Sequence, residues 1–246
     1  MPKFFVVSDV HGFYDELLNA LDDAGFNPEN PEHYLISCGD NFDRGPQNLE
    51  VQKFFIRTPR TILIRGNHED LFDWAIQDGF TMRDIHNGTY QTIQELGRAK
   101  IPDSQWASEA EIMEYAYRTT RGFFDRMIDY FETEKYIFVH GWIPDNEQSP
   151  DHQWRRATKA QWEGARWANG MKEAMEGHIE PGKIIVCGHW HTSWGHNKQD
   201  ETPEWGNRAD FSPYYDKGII AIDACTAYSH KVNCIVLEDK FLREID

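Results

Sequence analysis

Residues 3–25 read KFFVVSDVHGFYDELLNALDDAG, and this stretch decides the class of fold. Phe4–Val7 is a short, continuous apolar run rich in β-branched and aromatic side chains, the pattern of a strand covered on both faces. Phe13, Leu17 and Leu21 then recur at four-residue intervals, so one face of a following helix is apolar, and Gly25 supplies its C-terminal stop. The alternation repeats downstream. Tyr34–Ile36 reads as a second strand. A second helix begins with Pro46 in its first turn, carries Leu49, Phe54 and Phe55, and ends at Pro59. Thr61–Ile64 is a third strand. A β-helix-β-helix-β opening argues for an α/β protein.

The remaining strands are Tyr136–Val139, Lys183–Val186 and Gly218–Ile222, and Val232–Glu238 follows the last after a short turn, which predicts a closing hairpin. Residues 70–135 hold no convincing strand and read as a mainly helical insertion, with Phe123, Phe124, Met127, Tyr130 and Phe131 as a late apolar stripe. Residues 144–182 carry Trp154, Trp162, Trp167 and Met171. The plainer reading packs these aromatics in the core and flanking helices; the sharper one makes part of them a cap that shapes a cleft. Residues 196–215, rich in Asn, Asp, Glu, Gly and Pro, predict a loop. No internal repeat interrupts the chain, and the expectation is a single domain over 1–246.

The bulk numbers narrow the function. The chain of 246 residues has 25 Lys plus Arg against 41 Asp plus Glu, a formal charge of −16, and no basic run. That balance repels a phosphate backbone, so no nucleic-acid partner is expected. No apolar segment approaches the roughly 18 residues of a membrane span, and MPKFFVVSD enters a strand without the features of a secretory signal. The cysteines Cys38, Cys187, Cys225 and Cys234 show neither zinc spacing nor a disulfide framework, so a reducing, cytoplasmic setting is expected.

Five strands end in groups able to bind metal or move protons: Asp9 and His11 in SDVHG, Asp40, Asp43 and Arg44 in GDNFDRG, Asn67 and His68 in RGNHE, His140 in VHGW, and His189 and His191 in CGHWH. Sites in open α/β sheets form where strand carboxyl ends meet. A lone histidine there is ordinarily structural, and a lone aspartate after glycine is ordinarily a turn residue. Five such clusters in one position of the strand-loop register are not plausibly coincidence. Carboxylates, an amide and imidazoles without thiolate suit Mn²⁺, Fe or Zn²⁺ better than Ca²⁺. They also exceed what one ion needs, and two ions about 3.5–4 Å apart account for the surplus.

The ordered motifs D-x-H, G-D-x-x-D-R-G, G-N-H-E, V-H-G and G-H-x-H resemble the calcineurin-like metallophosphoesterase superfamily. The G-D-x-x-D-R-G and G-N-H-E forms in particular resemble the branch of Ser/Thr protein phosphatases, bacteriophage-type protein phosphatases and symmetrical diadenosine tetraphosphatases. The ending IDACTAYSHKVNCIVLED resembles that branch's final hairpin. The resemblance implies a four-layer α/β/β/α sandwich of two mixed β-sheets with a dinuclear metal site at the strand carboxyl ends. It implies that Asp9 and His11 hold the first metal, completed by His191, that Asp40 bridges both ions, and that Asn67, His140 and His189 hold the second. His68 would protonate the leaving oxygen, oriented by Asp43, while Arg44 clamps the phosphate. A metal-bridging hydroxide would attack phosphorus in line, and the poor alkoxide leaving group calls for the general acid.

This chain also departs from the branch. The second phosphate-binding arginine of the protein phosphatases has Arg166 as its candidate, with Arg155 and Arg156 as alternatives and an ordinary helix-pairing arginine as the plainer reading. The usual D-T-G of the final hairpin is Asp223-Ala224-Cys225, and His191 stands where many of the protein phosphatases have proline. Glu69, His86, His152, His178, His196 and His230 receive no role. The implied activity is phosphomonoester hydrolysis with two divalent or trivalent metal ions, Mn²⁺ first. The substrate is a phosphorylated protein or peptide, most like that of a Ser/Thr phosphatase. A dinucleoside polyphosphate or other small phosphorylated metabolite is the alternative, to which GHW in CGHWHTSW points. A metal-binding protein without catalysis is the reading from another class, and the complete ligand set argues against it.

Overall fold

The computed structural model describes residues 1–102, 104–144 and 153–242. The opening alternation is β1 (Lys3–Val7), α1 (Tyr14–Asp23), β2 (His33–Ser37), α2 (Asn48–Arg57) and β3 (Thr61–Leu63). Four helices follow: α3 (Asn67–Asp78), α4 (Met82–Asn87), α5 (Thr89–Arg98) and α6 (Glu109–Phe124). The second half comprises β4 (Phe131–Glu132), β5 (Tyr136–Phe138), α7 (Lys159–Ala165), α8 (Gly170–Met175) and β6 (Ile184–Cys187). It closes with α9 (Thr192–Asp200), β7 (Tyr214–Asp216), β8 (Ile219–Ala221), α10 (Thr226–Ser229) and β9 (Cys234–Glu238).

The strands form two sheets, ordered β3-β2-β1-β9 and β4-β5-β6-β8-β7. Both are mixed. In the first, β1, β2 and β3 run parallel and β9 antiparallel. In the second, β5, β6 and β8 run parallel between antiparallel edges β4 and β7.

Side-chain alternation along the strands produces four layers. Phe4 and Val6 point between the sheets, where they join Ile36, Phe138, Val186 and Ile220. Phe5 and Val7 point the other way, onto Leu17, Phe55, Phe72 and Phe123 of the helices covering the first sheet. Ile185 and Cys187 turn outward to Trp154, Trp162 and Met171 over the second sheet. Both faces of each sheet are therefore covered, which is why the strands read as unbroken apolar runs. Phe4 is fully buried and its ring meets Phe131, Phe138 and Phe241. Burying such a side chain contributes roughly 2–3 kcal/mol.

Three sequence expectations need correction. Gly218–Ile222 and Val232–Glu238 do not form a hairpin: β8 pairs with β6 and β7, whereas β9 pairs with β1 in the other sheet. Between them the chain turns at Cys225, whose φ is 52°, passes through α10 and crosses sheets. The apolar pattern marks each strand but not its partner. The real hairpin is β7–β8. The expected loop 196–215 contains the end of α9 and the start of β7. Finally, α2 starts at Asn48, so Pro46 precedes the helix rather than lying in its first turn. His152 lies outside the described residues.

Candidate metal centre

The parallel strands bring their carboxyl ends to one edge of the sandwich, and the polar residues beyond those ends converge there. Asp9 follows β1, Asp40 follows β2, Asn67 follows β3, His140 follows β5 and His189 follows β6. A sixth residue obeys the same rule: Asp223 lies two residues past β8 and is buried. Packing six polar groups at one point requires sharp turns. Asp9, His11, Asp40, Asp43, Arg44 and His189 all have left-handed backbones, with φ between 51° and 75°. Each costs of order 1–3 kcal/mol and persists only where surrounding structure enforces it. Close approach is needed as well. A Cβ on Gly39, which itself has φ 95°, would lie 2.7 Å from the Gly66 Cα and 2.8 Å from His140 Nδ1, and one on Gly188 would overlap Ser8 and Asp9.

Two three-residue groups result, His11–Asp40–His68 and Asp40–His140–His189, each with ligand-type atoms within 4.8 Å of one another. They share Asp40. His11 Nε2 is 3.8 Å from Asp40 Oδ2 and 4.0 Å from Asp9 Oδ1. His140 Nε2 is 3.3 Å from Asp40 Oδ1 and 2.8 Å from Asn67 Oδ1. Backbone carbonyls set the rings: His11 Nδ1 donates to Phe42 O at 2.8 Å and His140 Nδ1 to Cys38 O at 2.7 Å. Such bonds fix the tautomer that leaves a ring lone pair facing the cluster.

The electrostatics test whether cations fit. Burial, reinforced by Asp223, raises the Asp9 carboxyl well above its ordinary range. Burial likewise pushes Asp223 up to about 6. Burial alone would raise Asp40 too, but His140 and His68 beside it hold it well below its ordinary value. Burial opposes charge on His140, yet Asp40 and Asp9 lift it to about 9. Burial and His140 push His189 down to about 3, and burial with Arg44 lowers His11. Asp9, Asp40 and Asp223 thus share a buried space among imidazoles, two of which, His11 and His189, are shifted toward the neutral form. Cations would let all three carboxylates ionise while the neutral rings donate lone pairs. The donor set, oxygen and imidazole nitrogen without thiolate, fits hard to borderline divalent ions.

His68 stands slightly apart. Its Nδ1 donates to Asp43 Oδ2 at 2.7 Å, while its Nε2 lies 3.2 Å from the Arg44 guanidinium and 3.9 Å from Asp40 Oδ2. Asp43 is itself held by two hydroxyls from α5: Thr89 donates to Oδ2 and Thr92 to Oδ1, each at 2.6 Å. Glu69, given no role from its sequence, is fully buried and accepts from the backbone N–H groups of Asp40, Asn41 and Gly66. It closes the two loops that present Asp40 and Asn67.

Two candidates are not brought into the cluster. His191 bonds Ser193 Oγ through Nδ1 at 2.9 Å, and its Nε2 is 3.4 Å from Glu204. It immediately precedes α9 and faces that helix and the following loop. Arg166 pairs with Asp70 at 2.7 Å and with Asp129, and its Nε has no partner among the described residues. Its guanidinium is engaged by carboxylates, so it ties α7 to α3 where the sequence suggested a phosphate clamp. Arg155 is bound between Glu132 and Glu180 and stacks on Trp154.

Two face-to-face mixed sheets with a carboxylate–imidazole cluster beyond their parallel strands define the class as a four-layer sandwich with a candidate metal site. The profile of the calcineurin-like phosphoesterases matches residues 2–193, and the chain belongs to that family. It is 36% identical over 102 residues to serine/threonine-protein phosphatase 2 of Salmonella typhimurium, covering 37% of this chain and 45% of that protein. It is 39% identical over 66 residues to the symmetrical bis(5'-nucleosyl)-tetraphosphatase of Erwinia tasmaniensis, covering 26% and 23%. The matches therefore span less than half the length of these curated relatives. The fold is like that of a cold-active protein-tyrosine phosphatase from a Shewanella species, with TM-score 0.52, 17% identity, and coverage of 97% of this chain and 76% of that one.

Proposed function

We propose that the chain is a metal-dependent phosphoester hydrolase that cleaves phosphomonoesters at the Asp40-centred cluster. The single observation that carries this reading is the His68–Asp43 pair set 3.9 Å from the shared Asp40 carboxylate, a proton donor beside a cation-binding cluster. Asp9, His11 and Asp40 would hold one ion, and Asp40, Asn67, His140 and His189 the other. Bound there, the ions supply positive charge to the phosphate oxygens and acidify the attacking water.

The protein's own groups do the rest. With Nδ1–H directed to Asp43, Nε2 of His68, which meets the Arg44 guanidinium at 3.2 Å, is the atom that would carry a proton to the departing oxygen. The Asp43 carboxylate orients the ring through Nδ1, and Thr89 and Thr92 keep that carboxylate from rotating. Arg44 shares the space in front of Nε2, where a planar fork can hold two phosphate oxygens as charge builds. The substrates suggested by the relatives are phosphorylated proteins and bis-nucleoside tetraphosphates. The net charge of −16 disfavours nucleic-acid polymers. The four free cysteines support a reducing, cytoplasmic setting, and no helix among the described residues is long and apolar enough to cross a membrane.

The test is turnover of metal-stripped protein reconstituted with Mn²⁺, assayed on para-nitrophenyl phosphate, a phosphoserine peptide, diadenosine tetraphosphate and bis-para-nitrophenyl phosphate. Metal-dependent release of phosphate from the monoesters is expected. Absence of turnover on all four with metal bound would contradict the reading.

A further inference from the structure

Two adjacent carboxylates on the first turn of α3 make unlike attachments. Glu69 binds the loops that present Asp40 and Asn67. Asp70 turns instead to two arginines. Its Oδ1 accepts from Arg65 Nε at 2.6 Å, and its Oδ2 accepts from an Arg166 terminal nitrogen at 2.7 Å. Arg65 also reaches Asp73 and the Glu69 carbonyl, whereas Arg166 forks onward to Asp129. Asp70 and Arg166 are only 3% and 4% exposed, so the bond between them is shielded from water.

The Arg166 end of this link lies against the ligands of the second sheet. Arg166 follows α7 in the turn 165–168, which is pressed onto Gly141, the residue after His140. A Cβ on Gly141 would come within 2.5 Å of the Ala165 carbonyl oxygen and 2.7 Å of the Arg166 one. The Trp142 N–H donates to the Ala165 carbonyl at 3.0 Å. In the same turn, the Trp167 ring meets the His189 ring at 5.8 Å. The Asp70 end lies three residues past Asn67, whose Oδ1 is 2.8 Å from His140 Nε2. Asp129 adjoins Ile128, which bonds Leu63 and Arg65 through its backbone. The pair therefore spans the seam where Asn67, beyond the first sheet, meets His140 and His189, beyond the second.

Stability alone gives little reason for such a pair. Apolar side chains of similar volume often replace a buried ion pair without loss, and Arg166 Nε has no partner among the described residues. A guanidinium forked between two carboxylates does fix the distance and angle between the elements that carry them. We propose that Asp70 and Arg166 are positioning residues for the Asp40–Asn67–His140–His189 ion site, the one whose ligands come from both sheets. This rests on the metal-dependent hydrolase reading and deepens it. The Asp9–His11–Asp40 site draws on the first sheet alone and does not depend on the pair.

The test titrates Mn²⁺ into the metal-stripped full chain by calorimetry and follows pairing of the ions by electron paramagnetic resonance. His11→Asn and His140→Asn identify which affinity belongs to which site. Asp70→Asn and Arg166→Met, the latter leaving Asp70 paired with Arg65, should each weaken the affinity that His140→Asn abolishes by about 10- to 100-fold. The other affinity should be unchanged. At limiting Mn²⁺ the variants should show isolated ions where the wild type shows coupled pairs. The double variant should lose no more than the weaker single one, because both cut the same contact. At saturating Mn²⁺ the KM for para-nitrophenyl phosphate should stay at its wild-type value. Equal weakening of both sites, or wild-type affinities at both, overturns the proposal. A raised KM with both affinities intact also overturns it and makes Arg166 a phosphate clamp. One ion or none in the wild type fails the two-ion reading itself, and the proposal with it.

Discussion

The two halves of the site are built differently. The first sheet supplies Asp9, His11, Asp40, Asn67 and His68, and this half is locked from behind. Glu69 pins the loops after β2 and before α3, and Thr89 and Thr92 pin Asp43. The second sheet supplies His140, His189 and Asp223, and His140 is held by the Cys38 carbonyl. Beyond them it presents exposed aromatic rings. On the proposed function, the first half would place the proton donor and part of the ion-binding set, and the second half would place the remaining ion-binding groups beside those exposed rings.

Substitutions can break that division. The largest effect is expected for Asp40→Asn, because Asp40 belongs to both three-residue groups. Turnover should fall at least on the order of 10³-fold, with both ions weakened, as measured by steady-state kinetics alongside metal analysis. His68→Asn should slow turnover of poor leaving groups by about 10²- to 10⁴-fold with metal content unchanged. If both variants lose metal alike, His68 is a ligand and not an acid. The double change Thr89→Val with Thr92→Val removes two bonds to a buried carboxylate. A fall in kcat of about tenfold is expected, with little change in metal affinity.

The last effect is on stability and concerns Asp223 in metal-stripped protein. Its folded value of about 6 lies above the ordinary 3.8, so between these values the native state holds a proton that the unfolded chain releases. Stability therefore falls as pH rises from about 4 through about 6. Asp223→Asn lacks this loss. The variant should gain relative to wild type across that window, by up to about 3 kcal/mol. Thermal melts at pH 4 and pH 7 check it, and a difference independent of pH would show that Asp223 is not buried against its charge. Excess Mn²⁺ should reduce the gain.

Much of this was legible in the sequence for one reason: parallel strands put successive strand ends at one edge, so D-x-H, G-D-x-x-D-R-G, N-H, V-H and G-H could be assembled without coordinates. Asp223 obeys the same rule, but the apolar runs Gly218–Ile222 and Val232–Glu238 read as a hairpin, which hides that the carboxyl end of β8 faces the site. Glu69, three residues past the N-cap glycine of α3, could have been found as a carboxylate that reaches back to the Gly66 N–H. Thr89 and Thr92 left only an i, i+3 spacing after Gly88, a pattern too common to signal anything. His191 and Arg166 show the opposite limit. A motif position says where the backbone passes, but nearby Ser193, Glu204, Asp70 and Asp129 decide where the side chain bonds.

The most direct test of the shared-carboxylate account is the stoichiometry of Mn²⁺ binding to metal-stripped protein, wild type against Asp40→Asn, by titration calorimetry with metal analysis. The account predicts two ions per chain in the wild type and loss of tight binding at both sites in the variant. One ion or none in the wild type, or two ions retained by Asp40→Asn, would contradict it.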